Sequence, residues 1–293
     1  MESGKGRLIV DSGSTKTLWS LLPLDGKNLI RVETPGLNPL HSSEQQMLAT
    51  ILKAKEDLGF PLVKEIKLFG AGCANSEINK AVEGLLKDTF QASEVSVESD
   101  MVGAALALFG DGSGVAAILG TGSNTCLFSQ GKIINQIPSL GFILGDEGSG
   151  VALGKALLNN IFKRNLPSSI LADFQKDYNL PLSLLIKKVY QESKPAPFIA
   201  SFAPFLKKHI ENPDVKVLVE KEFDKFFIRN VIPYGPDACK DVRILGSVAI
   251  NFSNILKISA EKHGIKVNSI LKDPMPSLEL YYFGDFISQE STN

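Results

Sequence analysis

The sequence has little of what would commit a chain to secretion, a membrane or a structural metal. Its cysteines, Cys73, Cys126 and Cys239, are far apart and odd in number, so they indicate neither a disulfide framework nor a metal site. No apolar run approaches the roughly 18 to 20 residues that a membrane span needs. The first residues, MESGKGRLIVDSG, contain no apolar signal core. These absences predict a cytoplasmic protein with no membrane partner.

A surplus of charge of either sign is also missing. The chain has 31 basic and 32 acidic residues, which give a net charge of −1. Nucleic acids and anionic membranes attract proteins with a basic surplus, so neither is an expected partner. What is present is an ordinary globular composition, with 44% hydrophobic residues. The length of 293 residues suits about two domains.

The sequence contains one short motif, called here the phrase, in two similar copies. SGSTKTLWS occupies residues 12–20 and TGSNTCLFS occupies residues 121–129, and a gapless overlay matches Gly13 with Gly122. A short apolar run precedes each phrase, and a glycine-containing turn follows it, such as DGK at 25–27. The pattern predicts strands around each phrase and alternating helices and strands afterwards. We therefore predict two copies of one unit that is β-rich at first and α/β afterwards.

The duplication predicts an α/β fold of two domains with a cleft between them, where ligands tend to bind. We place the first domain at residues 1–112 and the second at 113–293. The second domain carries a helical insertion from about residue 148 to 230, where prolines interrupt the helical pattern. Packing of the last helix on the first domain is left open. Ser42 or Ser43 is expected to cap the first helix, and Gly59 to end it.

The composition of the two turns points to phosphate binding. A tight turn of Gly, Ser and Thr between strands directs several backbone N–H groups the same way, which makes an anion nest. Two nests facing each other across a cleft would grip a polyphosphate, although Gly and Ser are also common in plain hairpins. Asp11 ends the first strand and is a candidate Mg²⁺ ligand, because Mg²⁺ binds few carboxylates and keeps its waters. No G-x-x-x-x-G-K-[ST] loop is present, and Thr125 stands where a dinucleotide fingerprint needs glycine.

Several segments resemble a known superfamily in sequence and in order: VDSGSTKTLWSLL, VESD, ILGTGSNTCLF, GFILGDEGSG and ILGSVA. They are similar to the sugar kinase, actin and heat-shock chaperone superfamily, and within it to the N-acetylglucosamine kinases and their bacterial relatives. That family includes the ATPase activators of 2-hydroxyacyl-CoA dehydratases. The resemblance covers nearly the whole chain. It implies two ribonuclease-H-like, actin-like ATPase domains with ATP and Mg²⁺ in the cleft.

The resemblance also implies roles for individual residues. Asp100 matches the catalytic aspartate, and Asp11 matches the acidic position after the first strand. The positions implied for the ATP phosphates and nucleoside are Ser14, Thr15, Lys16, Thr121, Gly122, Gly246 and Ser247. The positions implied for the sugar are Asn38, Ser123, Asn124, Gly141 and Asp146. The segment PSLGF lacks the tryptophan that animal relatives have before the matching glycine, a departure that bears on the wall of the sugar pocket.

Local structure offers another explanation for three of these residues. Asp100 precedes a predicted helix and is also a candidate N-cap. Asp146 precedes a predicted helix as well, and the positive end of a helix dipole favours a carboxylate. Asn38 stands beside Pro39, a combination that is typical of a turn.

Together these observations predict an ATP-dependent sugar kinase that phosphorylates the 6-hydroxyl of N-acetylglucosamine or a related amino sugar, with Asp100 as general base. Glucosamine, N-acetylmuramate and glucose remain as other acceptors. One alternative is a dehydratase activator, which needs paired cysteines for an iron–sulfur cluster. Another is a non-catalytic sensor of a sugar or nucleotide. A homodimer is left open.

Overall fold

The computed structural model describes residues 6–13, 15–23, 28–73 and 75–290, without the side chains of residues 285–290. The chain forms two compact units. The first unit runs to Gly110 and resumes at Pro274, and the second comprises Asp111–Asp273. Within the described ranges, no helix is both long and apolar enough to cross a membrane.

The first unit is built on a five-stranded sheet. Its strands are β1 Gly6–Ser12, β2 Lys16–Leu22, β3 Ile30–Pro35, β4 Val63–Gly70 and β5 Glu94–Ser99. The strand order is β3-β2-β1-β4-β5, with β1 antiparallel to β2 and parallel to β4. The carboxyl ends of β1, β4 and β5 therefore lie at one edge of the sheet. The predicted turn at 25–27 lies outside the described residues.

Three helices follow these strands: α1 Glu44–Asp57, α2 Ser76–Phe90 and α3 Asp100–Phe109. A capping box begins α1, because Ser43 Oγ accepts from Gln46 N while the Gln46 side chain accepts from Ser43 N. Gly59, with φ of +80°, follows the end of this helix. The predicted cap at Ser43 and stop at Gly59 are confirmed. Most side chains of α3 are apolar and buried, including Met101 and Leu108.

The second unit repeats this sheet. Its strands are β6 Ser113–Leu119, β7 Ser123–Ser129, β8 Lys132–Asn135, β9 Val242–Leu245 and β10 Val267–Leu271. The order β8-β7-β6-β9-β10 matches that of the first sheet, and β6 is antiparallel to β7 and parallel to β9. The predicted α/β fold with a duplicated strand pattern is confirmed.

Most of the second unit's helices lie between β8 and β9, where the insertion was predicted. They are α4 Gly141–Leu144, α5 Gly150–Phe162, α6 Ser168–Tyr178, α7 Leu182–Tyr190, α8 Pro195–Ala200, α9 Ala203–Lys208 and α10 Pro213–Phe226. A π-helical turn, Phe227–Val231, continues α10, and α11 Ser247–Asn251 and α12 Ser253–Lys262 follow β9. Prolines occupy the first turns of α8, α9 and α10, where a missing N–H breaks no helical hydrogen bond.

The last helix, α13 Met275–Glu290, returns the chain to the first unit and packs on α3, β2 and β1. Glu279 anchors it, because its buried carboxylate accepts hydrogen bonds of 2.6 Å from Ser20 Oγ and from both Arg31 Nε and Nη2. Each unit has its own apolar core, with Trp19 fully buried in the first and Phe128 fully buried in the second.

The two glycine turns differ in length. The last paired residues, Ser12 and Thr17, enclose residues 13–16 in the first turn. In the second turn, Leu119 and Ser123 enclose residues 120–122. The first turn is therefore one residue longer than the second. Strand pairing restricts the length of a strand, whereas a connection on the surface tolerates an added residue.

Candidate functional site

The second turn is held by the start of α5. Gly150 N donates to Gly120 O at 2.8 Å, and Val151 N donates to Thr121 O at 3.0 Å. Ser149, the N-cap of α5, accepts from Ala152 N with its hydroxyl. The helix thus uses its first N–H groups to fix the turn, since these groups have no partner inside the helix.

A pocket of about 240 Å³ opens beside this turn. It brings together the predicted residues Thr121 and Ser247, which β6 and β9 deliver to the same edge of the second sheet. Gly246, before Ser247, has φ of +128°, and a Cβ at this position would overlap the Leu119 carbonyl. Glycine is therefore required where the two strand ends approach each other.

The other walls of this pocket come from residues that the sequence analysis did not single out. They are Gly120, Gly150, Ala200, Ala203, Pro204, Lys207, Val248, Asn251 and Phe252. The lining combines apolar side chains with polar ones, a composition that suits a ligand with a flat apolar part and polar substituents. The Lys207 ammonium lies 6.0 Å from the centre of the Phe252 ring. No motif marks these residues, because α9 and α11 meet only in the folded unit.

Asp146 meets the other side of the turn. Its Oδ1 accepts from Ser123 N at 3.1 Å, and a Cβ on Gly122 would lie 3.0 Å from its Oδ2. The residue is 8% exposed and has φ of +59°. Burial raises the pKa of this carboxyl, while the Ser123 N–H and the Lys155 charge act in the opposite direction. The predicted sugar residues Ser123 and Asp146 are thus in direct contact, and the cap of α5 is Ser149 rather than Asp146.

The remaining predicted sugar residues of this unit flank that contact. Asn124 Oδ1 accepts from its neighbour Thr125 N and from Gln136 Nε2, both at 3.0 Å. Gly141 begins α4 with φ of +69° and is exposed. Gly141 O accepts from Gly145 N at 2.8 Å, so Gly141 and Asp146 belong to one tightly folded loop.

In the first unit, Asp100 begins α3 directly after β5. The backbone N–H groups of Asp100 and Met101 act to lower the pKa of its carboxyl. Asp100 is half-buried, and burial raises the pKa of its carboxyl against the effect of those two N–H groups. The N-cap position belongs to Ser99, whose side chain makes no capping bond. Asp100 therefore serves the helix terminus and also has the raised pKa that is common among functional carboxyls.

Asn38 is 6% exposed and is held by its own loop. Its Oδ1 accepts from Leu40 N at 3.0 Å, which is the turn-shaping bond that the sequence suggested. Gly72 approaches the same oxygen from the loop after β4, where its φ is +84° and a Cβ would overlap Asn38 Oδ1. The amide orientation is therefore set by two loops, and the sequence analysis did not single out Gly72.

The first turn is more exposed than the second. Thr15 and Lys16 are exposed, and the Lys16 ammonium lies 3.2 Å from Glu33 Oε2 in an ion pair between two exposed side chains. Two buried hydroxyls lie at the base of the turn, Ser12 Oγ and Thr17 Oγ1, 2.8 Å apart. Ser14, a predicted phosphate contact, lies outside the described residues.

Asp11 lies half-buried near the end of β1. In the part of the chain that the structure describes, no three or more His, Cys, Asp and Glu side chains group as a metal cage. A single carboxylate nevertheless fits Mg²⁺, which in nucleotide sites keeps several waters and takes its other ligands from phosphates. The donor set suits such an ion and excludes a closed structural site.

No protein-family model and no curated protein sequence matches the chain. Among solved structures, a Porphyromonas gingivalis protein named "Putative N-acetylglucosamine Kinase" is 35% identical, with a TM-score of 0.89 over 95% of this chain and 99% of that one. A Chromobacterium violaceum protein of the same name is 19% identical, with a TM-score of 0.74 over 95% and 99%. A ROK family glucokinase from Streptomyces griseus, solved with glucose and AMPPNP, is 13% identical, with a TM-score of 0.51 over 91% and 93%.

The duplicated sheets and their helices define a member of the sugar kinase and actin-like ATPase superfamily. The chain has the two-unit α/β fold of ROK-type sugar kinases. Within the superfamily it belongs to the same family as the Porphyromonas gingivalis protein, because the two share 35% identity over nearly their whole lengths. The likeness to the other two structures extends to the fold alone. The resemblance inferred from the sequence motifs is confirmed.

Proposed function

We propose that the protein is an ATP-dependent sugar kinase and that N-acetylglucosamine or a related amino sugar is its acceptor. The observation that carries the proposal is the position of the second turn between two polar sites. On one side Thr121 lines the 240 Å³ pocket, and on the other Ser123 bonds to the buried carboxylate of Asp146. One turn would then contact the nucleotide and the sugar together, which is the proximity that phosphoryl transfer needs.

The pocket supports the nucleotide part of the proposal. Its apolar wall of Ala203, Val248 and Phe252 suits a purine base, and Ser247 suits the ribose. The nearby start of α5 would favour phosphate groups through its helix dipole alone, because its first N–H groups are already bonded to the turn and to Ser149. Asp11 would hold Mg²⁺ through water, and the ion would neutralise charge on the phosphates. Thr15, Lys16, Thr121 and Gly122 are proposed as phosphate contacts.

Asp146 supports the sugar part. A buried carboxylate that already accepts one N–H retains oxygen lone pairs for sugar hydroxyls, and hydroxyl donors satisfy it better than an apolar ligand would. Ser123 and Asn124 stand beside it on β7, and Gly141 belongs to the adjoining loop. Asn38 is proposed as a further sugar contact from the first unit. The name of the Porphyromonas gingivalis relative favours N-acetylglucosamine as the acceptor.

Asp100 is proposed as the general base that accepts the proton of the attacking hydroxyl. A carboxyl whose pKa is raised by burial is a better proton acceptor near neutral pH than an exposed aspartate. The dehydratase-activator alternative is not favoured, because its cluster would need accessible paired cysteines. Cys73, Cys126 and Cys239 are all buried and unpaired.

The test is an ADP-release assay with a panel of sugars and amino sugars. We expect N-acetylglucosamine to exceed glucose in kcat/KM by about ten- to a hundred-fold, because a sugar without the amide leaves buried polar groups unpaired. Asp146→Ala should depress activity on both sugars. Equal kcat/KM for glucose and N-acetylglucosamine would refute N-acetylglucosamine as the specific acceptor and leave the sugar kinase proposal intact. Failure to phosphorylate any sugar, with ATP still bound, would refute the kinase and favour a sensor.

A further inference from the structure

The π-helical turn Phe227–Val231 contacts both sides of the proposed sugar site. From this turn, Asn230 Nδ2 donates to Glu147 Oε2 at 3.2 Å, and Asn230 O accepts from Thr125 Oγ1 at 2.9 Å. Glu147 follows Asp146, and Thr125 follows Asn124. Asn230 is 7% exposed, so both bonds are shielded from water. π-Helical turns interrupt the regular helical ladder and are frequent near functional sites.

The hydrogen bonds that link Thr125 to Tyr234 and Ile137 form a chain that allows only one assignment of donors and acceptors. Ile137 N donates to Tyr234 Oη at 2.9 Å, and the Tyr234 and Thr125 hydroxyls lie 3.0 Å apart. An amide N–H can only donate and a carbonyl can only accept. Tyr234 must therefore donate to Thr125, which in turn donates to Asn230 O. The chain runs from the loop before α4 to the π-helical turn without an unused donor.

An ion pair holds Glu147, the carboxylate that accepts from the Asn230 amide. Arg229 Nη1 lies 2.8 Å from Glu147 Oε1. Burial opposes ionisation of Glu147, but the bonds from Arg229 and Asn230 and from its own N–H outweigh it and lower the pKa of this carboxyl. Glu147 is thus an anion at neutral pH and a constant acceptor for the Asn230 amide. The opposite pKa shift of neighbouring Asp146 shows that the two carboxylates are held in different surroundings.

We infer that Asn230 is a positioning residue for the sugar site, which it orders by holding Glu147 and Thr125, the neighbours of Asp146 and Asn124, in one arrangement. This inference rests on the proposed function. Asn230 would touch no substrate. Its effect would be to keep the loop of residues 136–147 and the start of β7 at the spacing that one sugar ring requires.

An exchange of donor and acceptor tests the inference. Asn230→Asp sets a second carboxylate against Glu147, and Glu147→Gln removes the charge that Asn230 and Arg229 bind. The double variant restores an amide–carboxylate pair with its direction reversed. We expect each single variant to raise the KM for N-acetylglucosamine about ten-fold, the low end for a lost bond to a charged group. The KM for ATP should stay within about two-fold, and the double variant should recover most of the loss.

Ser259→Ala is the matched control for a general loss of stability. Ser259 is 2% exposed in the same unit and donates to Asp224 on α10, away from the loop of residues 136–147. It should lower the melting temperature as much as the single variants do and leave the KM for the sugar unchanged. Equal rises of both KM values in the single variants, or no recovery in the double variant, would overturn the inference.

Hydrogen exchange of the sugar-free protein separates this inference from the proposed function. Tyr234→Phe removes the acceptor of Ile137 N–H, and Asn230→Asp disturbs the contact with Glu147. Both should speed exchange in residues 136–147 and leave β6 protected. Unchanged exchange in both variants would overturn the inference even in an active kinase. If the wild type phosphorylates no sugar, the proposed function fails, and the exchange result alone decides whether Asn230 orders the loop.

Discussion

The two glycine turns have similar sequences and different supports. The first turn is tied to the segment after β3, because Thr15 O accepts from Gly36 N at 3.1 Å. The Ser12 and Thr17 hydroxyls, buried at its base, both accept from Leu37 N. The second turn is tied instead to the first N–H groups of α5 and to the carboxylate of Asp146.

The difference shows what duplication preserved and what the insertion added. In each unit the turn is bonded to a segment that carries a proposed sugar contact, Asn38 after Leu37 in the first and Asp146 in the second. The second turn also borders a pocket that residues of the insertion line, including Ala203 and Lys207. We therefore expect the second unit to dominate nucleotide affinity, and the first to contribute mainly to chemistry and sugar orientation.

The largest expected effect tests the chemical role of the first unit. Asp100→Asn retains the size of the side chain and removes the proton acceptor. General-base assistance is worth about 10² to 10⁴ in rate, so kcat should fall by that factor while ATP affinity stays within a few-fold. Single-turnover kinetics with a separate nucleotide-binding measurement would check this. Near-normal turnover would refute Asp100 as the base.

Paired substitutions in the two turns sharpen the comparison. Thr15→Val and Thr121→Val each remove one hydroxyl that we propose donates to a charged phosphate oxygen. Such a bond is worth about 1.5 to 3 kcal/mol, which corresponds to a loss of about ten- to a hundred-fold in ATP-dependent function. The loss should be larger at half-buried Thr121 than at exposed Thr15. Isothermal titration with ATP and with sugar separates the two ligands. If a variant binds sugar more weakly and ATP as well as the wild type does, that threonine is not a phosphate contact.

A glycine pair in the first unit tests the orientation of Asn38. Gly72→Ala would push the Asn38 amide aside and raise the KM for the sugar by roughly ten-fold, because small misplacements of a binding group are costly. The control is Gly84→Ala in α2, where an added Cβ meets nothing within 4 Å. That change should stabilise the protein by about 0.5–1 kcal/mol and leave the KM unchanged. An unaltered KM in Gly72→Ala would show that Asn38 does not bind the sugar.

The smallest effect concerns acid stability of the second unit. Burial opposes ionisation of Asp224, but the bonds from Lys262, Ser259 and His263 outweigh it and lower its pKa. The unfolded pKa is about 3.9. The stabilisation is therefore complete well above that pH and is lost as the pH falls toward the lower folded value. Thermal melts of wild type and Asp224→Asn should differ at pH 7 and converge in acid. A difference in melting temperature that stays constant down to pH 3 would contradict the lowered pKa of Asp224.

Repetition and local chemistry made much of the molecule predictable. The strand pattern around each phrase predicted both sheets, because alternation and turn residues are local signals. Ser43 and Gly59 predicted the ends of α1 for the same reason. The resemblance also implied that Ser123 and Asp146 bind the same sugar, and the structure shows these two residues, 23 positions apart in the chain, in direct contact.

The sequence by itself determined the duplicated α/β fold, the ends of its first helix and the composition of its turns, since each depends on neighbours within a few residues. Only the tertiary structure decided what surrounds the turns. Lys207 of α9 and Phe252, which follows α11, line one pocket, and Gly72 faces Asn38 where two loops approach each other. Asn230 reaches Glu147 across 83 positions of the chain. Contacts between distant segments leave no periodic trace in a sequence, because they are set by packing in three dimensions rather than by spacing along the chain.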